Sequence, residues 1–274
     1  VTRCLNPLFG GKRKYLLPLF FLLLTAGNAF AQTTEQGARY QIKVGASYDR
    51  GDYGTTEVTR VLFVPVTIRY FSEKYDFSVT PSFSRSDSTG GLRIIEGVPT
   101  PTGETTTTRQ LRSAPGDTVL RARYYLQRGT ESIPSVTPFA KFKIPTADQD
   151  MGLGTGKADF GFGVEVDHQV SNILVFGDLA YTVIGKIPGV GMRNRIGASF
   201  GIGERLTNSL VLSGMIDWRQ SIVPTNPDPT ELVGVLTYRA RPGVTLSPNI
   251  YVGLTDSSSD YGAGIELAVR FGRR

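Results

Sequence analysis

Apolar residues recur at every second position through a dozen short stretches of this chain, separated by polar, charged or glycine residues. In the first stretch Tyr40, Ile42, Val44, Ala46 and Tyr48 share one face, and Arg39, Gln41, Lys43, Ser47 and Asp49 the other. A period of two is the signature of a β-strand. The cleanest case is Phe160, Phe162, Val164 and Val166 against Gly161, Gly163, Glu165 and Asp167. Strands are expected at about 38–49, 58–71, 76–85, 117–126, 135–144, 159–167, 173–184, 194–204, 209–219, 230–239, 244–254 and 262–271.

The spacing and the apolar faces choose between two all-β architectures. Strands follow one another about every 20 residues, too widely for a soluble sandwich, where about 8–12 is usual. Tyr40, Tyr70, Tyr124, Tyr238 and Phe271 all fall outward near one end of their strands, where a membrane barrel carries an interfacial aromatic girdle. Strands cross a bilayer only when closed into a barrel, which leaves no backbone group unpaired in hydrocarbon. The expectation is a closed antiparallel transmembrane β-barrel of about twelve strands.

An even strand number puts both ends in the periplasm. Loop lengths then alternate as they should, with short links at 72–75 and 206–209 and long ones at about 86–116, 145–158, 185–193 and 220–229. The longest has a threonine-rich tip, Thr105 to Thr108, among several Pro and Gly residues, and is expected to be mobile.

Residues 1–31 read as a cleaved export signal, leaving 32–274 as the barrel. Lys12, Arg13 and Lys14 precede an apolar run from Leu16 to Leu24, and Ala29-Phe30-Ala31 fits the small-x-small cleavage pattern. The run is shorter than the roughly 20 residues a spanning helix needs. Cys4 precedes it and so is not a lipidation site. Without Arg3, Lys12, Arg13 and Lys14, the balance of 30 basic to 24 acidic residues becomes 26 to 24. The basic character is thus mostly a targeting feature and is no argument for nucleic acid. Mean hydropathy lies near zero, as it should for a barrel with one lipid face and one wet face.

Three chemistries are tested and set aside. Gly152-Leu153-Gly154-Thr155-Gly156-Lys157 resembles a phosphate loop, but Ala158 stands where Ser or Thr belongs and Met151 where the first Gly belongs. A flexible external loop is the better reading. The only histidine, His168, falls in an expected periplasmic turn beside Asp167, far from the external rim, so no general base is in place. With no second histidine, and no cysteine after Cys4, no metal site, cofactor or thiol chemistry is expected.

The inward faces carry the charges. Arg121, Arg123, Lys141, Lys143 and Arg195 project into the lumen, as do Glu165, Asp178, Asp217 and Glu266. Two readings stay open: facing basic and acidic walls that select a polar or anionic solute, or ion pairs that merely fill a narrow interior. Gly161 and Gly163, on the strand after the two lysines, are expected to leave open space opposite them.

From the fourth strand onward the chain resembles the outer-membrane transporters associated with the meta-pathway of phenol degradation. The matching residues are Gly116-Asp117, Lys143-Ile144-Pro145-Thr146, Gly154-Thr155-Gly156 with Asp159, Asp228-Pro229 with Glu231, Gly253-Leu254-Thr255-Asp256, and the segment from Tyr261-Gly262 to Arg270-Phe271. The resemblance implies passive passage of small organic solutes, aromatic or hydrophobic ones among them. A structural or adhesive barrel acting through its external loops is the alternative. Expected partners are outer-membrane lipid, the solutes, and the barrel-assembly machinery, which reads a terminal aromatic such as Phe271. No interface patch decides the oligomeric state.

Overall fold

With apolar side chains turned outward and polar ones inward, the sheet must close on itself, and it does. A computed structural model describes residues 39–89, 92–95, 98–101 and 108–272. Its strands, in chain order, are β1 (Tyr40–Gly51), β2 (Thr59–Phe71), β3 (Tyr75–Thr80), β4 (Ser82–Thr89), β5 (Leu92–Ile95), β6 (Val98–Pro101), β7 (Arg109–Pro115), β8 (Thr118–Tyr124), β9 (Ser135–Ile144) and β10 (Asp159–Val170). There follow β11 (Ile173–Val183), β12 (Arg195–Arg205), β13 (Leu210–Arg219), β14 (Thr230–Arg241), β15 (Val244–Gly253) and β16 (Tyr261–Phe271). Every neighbouring pair in the wall is antiparallel, and β1 pairs with both β2 and β16, which closes the barrel.

Twelve wall strands result, because two of them are interrupted. Pro81 separates β3 from β4, and both pair with β2. Gly116 and Asp117 separate β7 from β8, and these pair with β4 and β3 respectively. Proline has no N–H to give the ladder, but its carbonyl accepts from Val66 N at 3.0 Å, and Gly116 N reaches Ser82 O at 2.8 Å. The wall therefore stays sealed at the break.

The outer face is apolar. Phe200 is 65% exposed, and Ile68, Phe77, Phe162, Leu179 and Ile202 are similarly open. The five girdle aromatics lie outward at the end where the termini meet, and Tyr40 packs against Tyr70 and Phe271 at ring separations of 5.5 and 5.8 Å. Turns at this end are of two to four residues, except the ten-residue link 125–134 between β8 and β9. Pro242 and Gly243 link β14 to β15, with Gly243 at φ 76°, the left-handed position that favours glycine after proline in a type II turn.

Two expectations need correction, and two lie outside the described residues. The segment 86–116 is not simply a loop, since β4 runs to Thr89, β7 starts at Arg109, and β5 and β6 form a hairpin between them. These extensions rise above the apolar belt, so their outward residues lose the apolar contrast by which the other strands are read. The mobile tip expected at Thr105–Thr108 lies outside the described residues except for Thr108, and the signal expected at 1–31 lies outside them altogether. His168 sits within β10 opposite Val175, not in a turn; the turn is at Ser171 and Asn172, where Ser171 takes φ 55°.

Candidate functional site

The register of the wall sorts the lumen charges into tracks. Following residues directly opposite one another from strand to strand gives Arg69, Ser78, Arg121, Lys141, Gly161, Thr182 and Arg195 in one row. A second row runs Thr137, Glu165, Asp178, Ser199, Asp217 and Glu231. Between them lies a row holding Phe139, Gly163, Ala180 and Gly197. Strand tilt makes such rows climb around the barrel. The lumen thus carries a basic ramp and an acidic ramp with small residues between.

Most of these charges are paired. Arg69 holds Asp76 bidentately at 2.8 and 2.7 Å, Arg123 reaches the same carboxylate at 3.1 Å, and Tyr125 donates to it at 2.6 Å. Arg123 and Arg121 both bind Glu165, and the Arg121 guanidinium lies 3.9 Å over the Phe139 ring. Lys43 meets Glu266 at 2.8 Å, Arg219 bridges Asp217 and Glu231, and Ser199 donates to Asp178. An unpaired charge at such a place would be strongly unfavourable.

The expected open space over Gly161 and Gly163 is filled. Stem carbons of Lys141 lie where a Gly161 Cβ would stand, and the Phe139 ring lies over Gly163. The same joint recurs further round the wall, where Phe176 of β11 covers Gly201 of β12 and Tyr251 of β15 covers Gly262 of β16. Those two aromatics belong to a buried apolar cluster with Leu174, Met215, Val233 and Val235.

What stays open is a chamber of about 250 Å³. Its floor is the small-residue row at Ala180 and Gly197, and its charged edges include Arg121, Lys141, Arg195 and Asp178. Hydroxyls from Thr67, Ser78, Thr80 and Ser82 interleave with apolar Phe63, Pro65 and Val119 along its β2, β3, β4 and β8 wall. The chamber is slightly smaller than the roughly 300–1,000 Å³ usual for drug-sized ligands, which suits a single-ring solute.

The roof comes from the β5–β6 hairpin. Ile95, fully buried, packs with Ile184, Ile187, Met192 and Ile222 from two loops, while Ile94 packs with Val61, Ala114 and Leu153. Ile94 N donates to Gly152 O at 2.9 Å, and Asn226 Nδ2 to Pro101 O at 3.2 Å. These partners come from separate parts of the rim, so the hairpin spans the mouth. Ile94 and Leu153 face the chamber.

All nine lumen candidates point inward as the alternation required, and eight line the chamber; Glu165 lies just beside it, bound by Arg121 and Arg123. Lys143 is the exception in role. It sits between Asp117 and Asp159 at 2.9 and 2.8 Å and donates to Thr155 Oγ1 at 3.1 Å. Asp117 also accepts from Ala147 N, Thr146 donates to Gly116 O, and Asp159 accepts from Gly185 N. Three motifs between residues 116 and 159 thus meet in one knot, with Gly185 joined to it. The phosphate-loop look-alike is part of it: buried Thr155 anchors the loop to Lys143. Asp228 organises a second knot, accepting from Ser221 N and pairing with Arg193 while its carbonyl takes Thr255 Oγ1. Sequence reading omitted Arg69, Asp76 and Glu231 from the lumen set, although their parity within the strands placed them inward.

Fold and lumen together define a β-barrel protein of the outer-membrane type. No protein-family model and no curated sequence matches the chain. Among solved structures it is similar to the translocator domain of the autotransporter NalP from Neisseria meningitidis, at 13% identity and a TM-score of 0.53, covering 90% of this chain and 97% of that one. It is similar to the NanC porin at 10% identity and 0.51, covering 84% and 98%. It is similar to CymD, a monoaromatic hydrocarbon channel, at 10% identity and 0.50, covering 91% and 92%. At these identities the likeness is one of fold.

Proposed function

We propose that this protein is a passive outer-membrane channel for small organic molecules, with no enzymatic step. The observation that carries the reading is the roofed chamber between the basic and acidic ramps. A lumen packed only for stability has no need of an unfilled space edged by both signs of charge. The mixed lining suits a compact solute with a polar or anionic head and an apolar body, the head toward Arg121, Lys141 and Arg195 and the body toward Phe63, Pro65 and Ile94. Aromatic cargo is supported by the resemblance of the knot-forming motifs to the meta-pathway transporters. The hairpin reaches across the mouth, and conduction in this reading is governed by its lifting. No nucleotide-binding motif is present, and flux follows the solute gradient.

The test is single-channel recording of the purified barrel in planar bilayers, with benzoate and neutral benzyl alcohol added in turn. Discrete steps that benzoate blocks more strongly than the alcohol support a channel with an anion-preferring chamber. A folded barrel that stays silent, even with Ile95→Ala to weaken the roof, overturns the reading and favours a structural or adhesive role.

A further inference from the structure

Four arginines break the apolar exterior, all on adjacent strands at the rim away from the termini. Arg50, Arg60, Arg85 and Arg109 share the lipid-facing parity of Tyr48, Leu62, Phe83 and Leu111 on β1, β2, β4 and β7. Arg50 stands opposite Arg60, Arg60 opposite Asp87, and Leu62 opposite Arg85. Equivalent outward positions near the same rim elsewhere are uncharged: Phe160, Val183, Ile196, Trp218, Thr230 and Val252.

The height of this patch follows from sequence spacing. Tyr40 and Arg50, Tyr70 and Arg60, and Tyr75 and Arg85 are each ten residues apart, the first two pairs within one strand and the third along the wall strand that Pro81 interrupts between β3 and β4. Ten residues of strand span about 34 Å, and a tilt of about 40° reduces this to about 26 Å along the barrel axis, close to the height of a lipid-facing apolar band. Each strand therefore runs from a tyrosine at the periplasmic interface to an arginine at the opposite one.

Local pairing leaves the patch net positive. Among the described outward strand positions of this face Asp87 is the one carboxylate, bound by Arg60 at 3.0 Å and by Arg109 at 2.7 Å, and Glu57 of the adjoining loop acts on Arg109 as well, so four guanidinium groups face two carboxylates. Arg50 donates to Tyr261 Oη at 3.2 Å. Arg85 is exposed and makes no hydrogen bond or ion pair among the described residues. Guanidinium groups bind phosphate bidentately, and basic clusters at an interface select anionic headgroups.

We propose that this face of the barrel is a binding site for the phosphate groups of an outer-leaflet glycolipid, with Arg85 and Arg60 as the principal contacts and Arg50 and Arg109 flanking them. The inference rests on the barrel lying in the outer membrane with its termini in the periplasm, and is independent of transport.

The experiment measures binding of purified lipopolysaccharide to the detergent-solubilised barrel by native mass spectrometry and titration. Wild type is expected to retain one phosphorylated glycolipid, and Arg60→Gln/Arg85→Gln to lose at least tenfold in affinity. Lys74→Gln/Arg128→Gln, which removes the same charge from the termini-side turns, is expected to bind as wild type. Heat-modifiable migration on gels checks that each variant is folded. Equal affinity of the Arg60/Arg85 variant and wild type overturns the proposal. So does equal binding of enzymatically dephosphorylated glycolipid, or full displacement by millimolar inorganic phosphate. No readout depends on conduction, so a silent channel leaves this result standing on its own.

Discussion

Lys143 on β9 holds Asp117, at the break between β7 and β8, across 2.9 Å, with Asp159 of β10 at 2.8 Å on the other side. One ammonium group thereby ties three neighbouring wall segments and the loop carrying Thr155. Lys143→Met leaves two buried carboxylates without their cation, which should lower stability by about 3–5 kcal/mol. Urea unfolding in detergent micelles, followed by gel mobility, measures this; Lys143→Arg should recover part of the loss.

Selectivity is better probed at the basic ramp than at this knot. Lys141→Gln with Arg195→Gln removes two cations from the chamber edge and should shift the reversal potential toward cation preference severalfold. Bi-ionic potential measurements check it. An unchanged potential would mean that the ramps serve packing alone.

Ile95 is fully buried in its isoleucine and methionine socket, and its loss should weaken the roof selectively. Truncating a buried isoleucine costs about 2–5 kcal/mol. At the lower figure Ile95→Ala should raise the open-to-closed ratio about thirtyfold. Single-channel open probability reads this directly, and unfolding of the wall should be unaffected.

Gly201 has the Phe176 ring on one side and Met215 on the other, with no room for a methyl group. Gly201→Ala should destabilise the barrel by about 1–3 kcal/mol through overpacking. Combining it with Phe176→Leu should restore part of that, and a double-mutant cycle on thermal unfolding gives the coupling.

Much of this architecture is legible in the residues. Alternation alone locates all twelve wall strands, because water and lipid impose opposite chemistries on successive positions. It also turns Arg121, Lys141, Glu165 and Asp217 inward correctly. Alternation is silent about stagger between strands, and stagger decides which charges meet. That is why both readings of Lys143 and the other lumen charges stayed open, and why the meeting of Arg69 with Asp76 was not foreseen. Gly161 and Gly163 suggested empty space because a missing side chain says nothing about a neighbour leaning over it. The β5–β6 hairpin escaped for another reason. Leu-Arg-Ile-Ile is too short to show a period, and its burial depends on distant Ile184 and Ile222.

The ring-over-glycine joints bear on how the barrel is made as well as on how it stands. Phe139 requires Gly163 directly opposite, Phe176 requires Gly201, and Tyr251 requires Gly262. A slip of two residues preserves inside and outside, so the membrane cannot detect it. In one direction it would set Phe139 against Glu165, Phe176 against Ser199 and Tyr251 against Asp260, each with a side chain where the ring must lie; in the other direction the rings meet Gly161, Gly203 and Gly264. Three of the strand pairs thus carry a one-way register check: a slip that meets a side chain is rejected sterically, and the glycine on the other side leaves the opposite slip to be decided by the rest of the ladder.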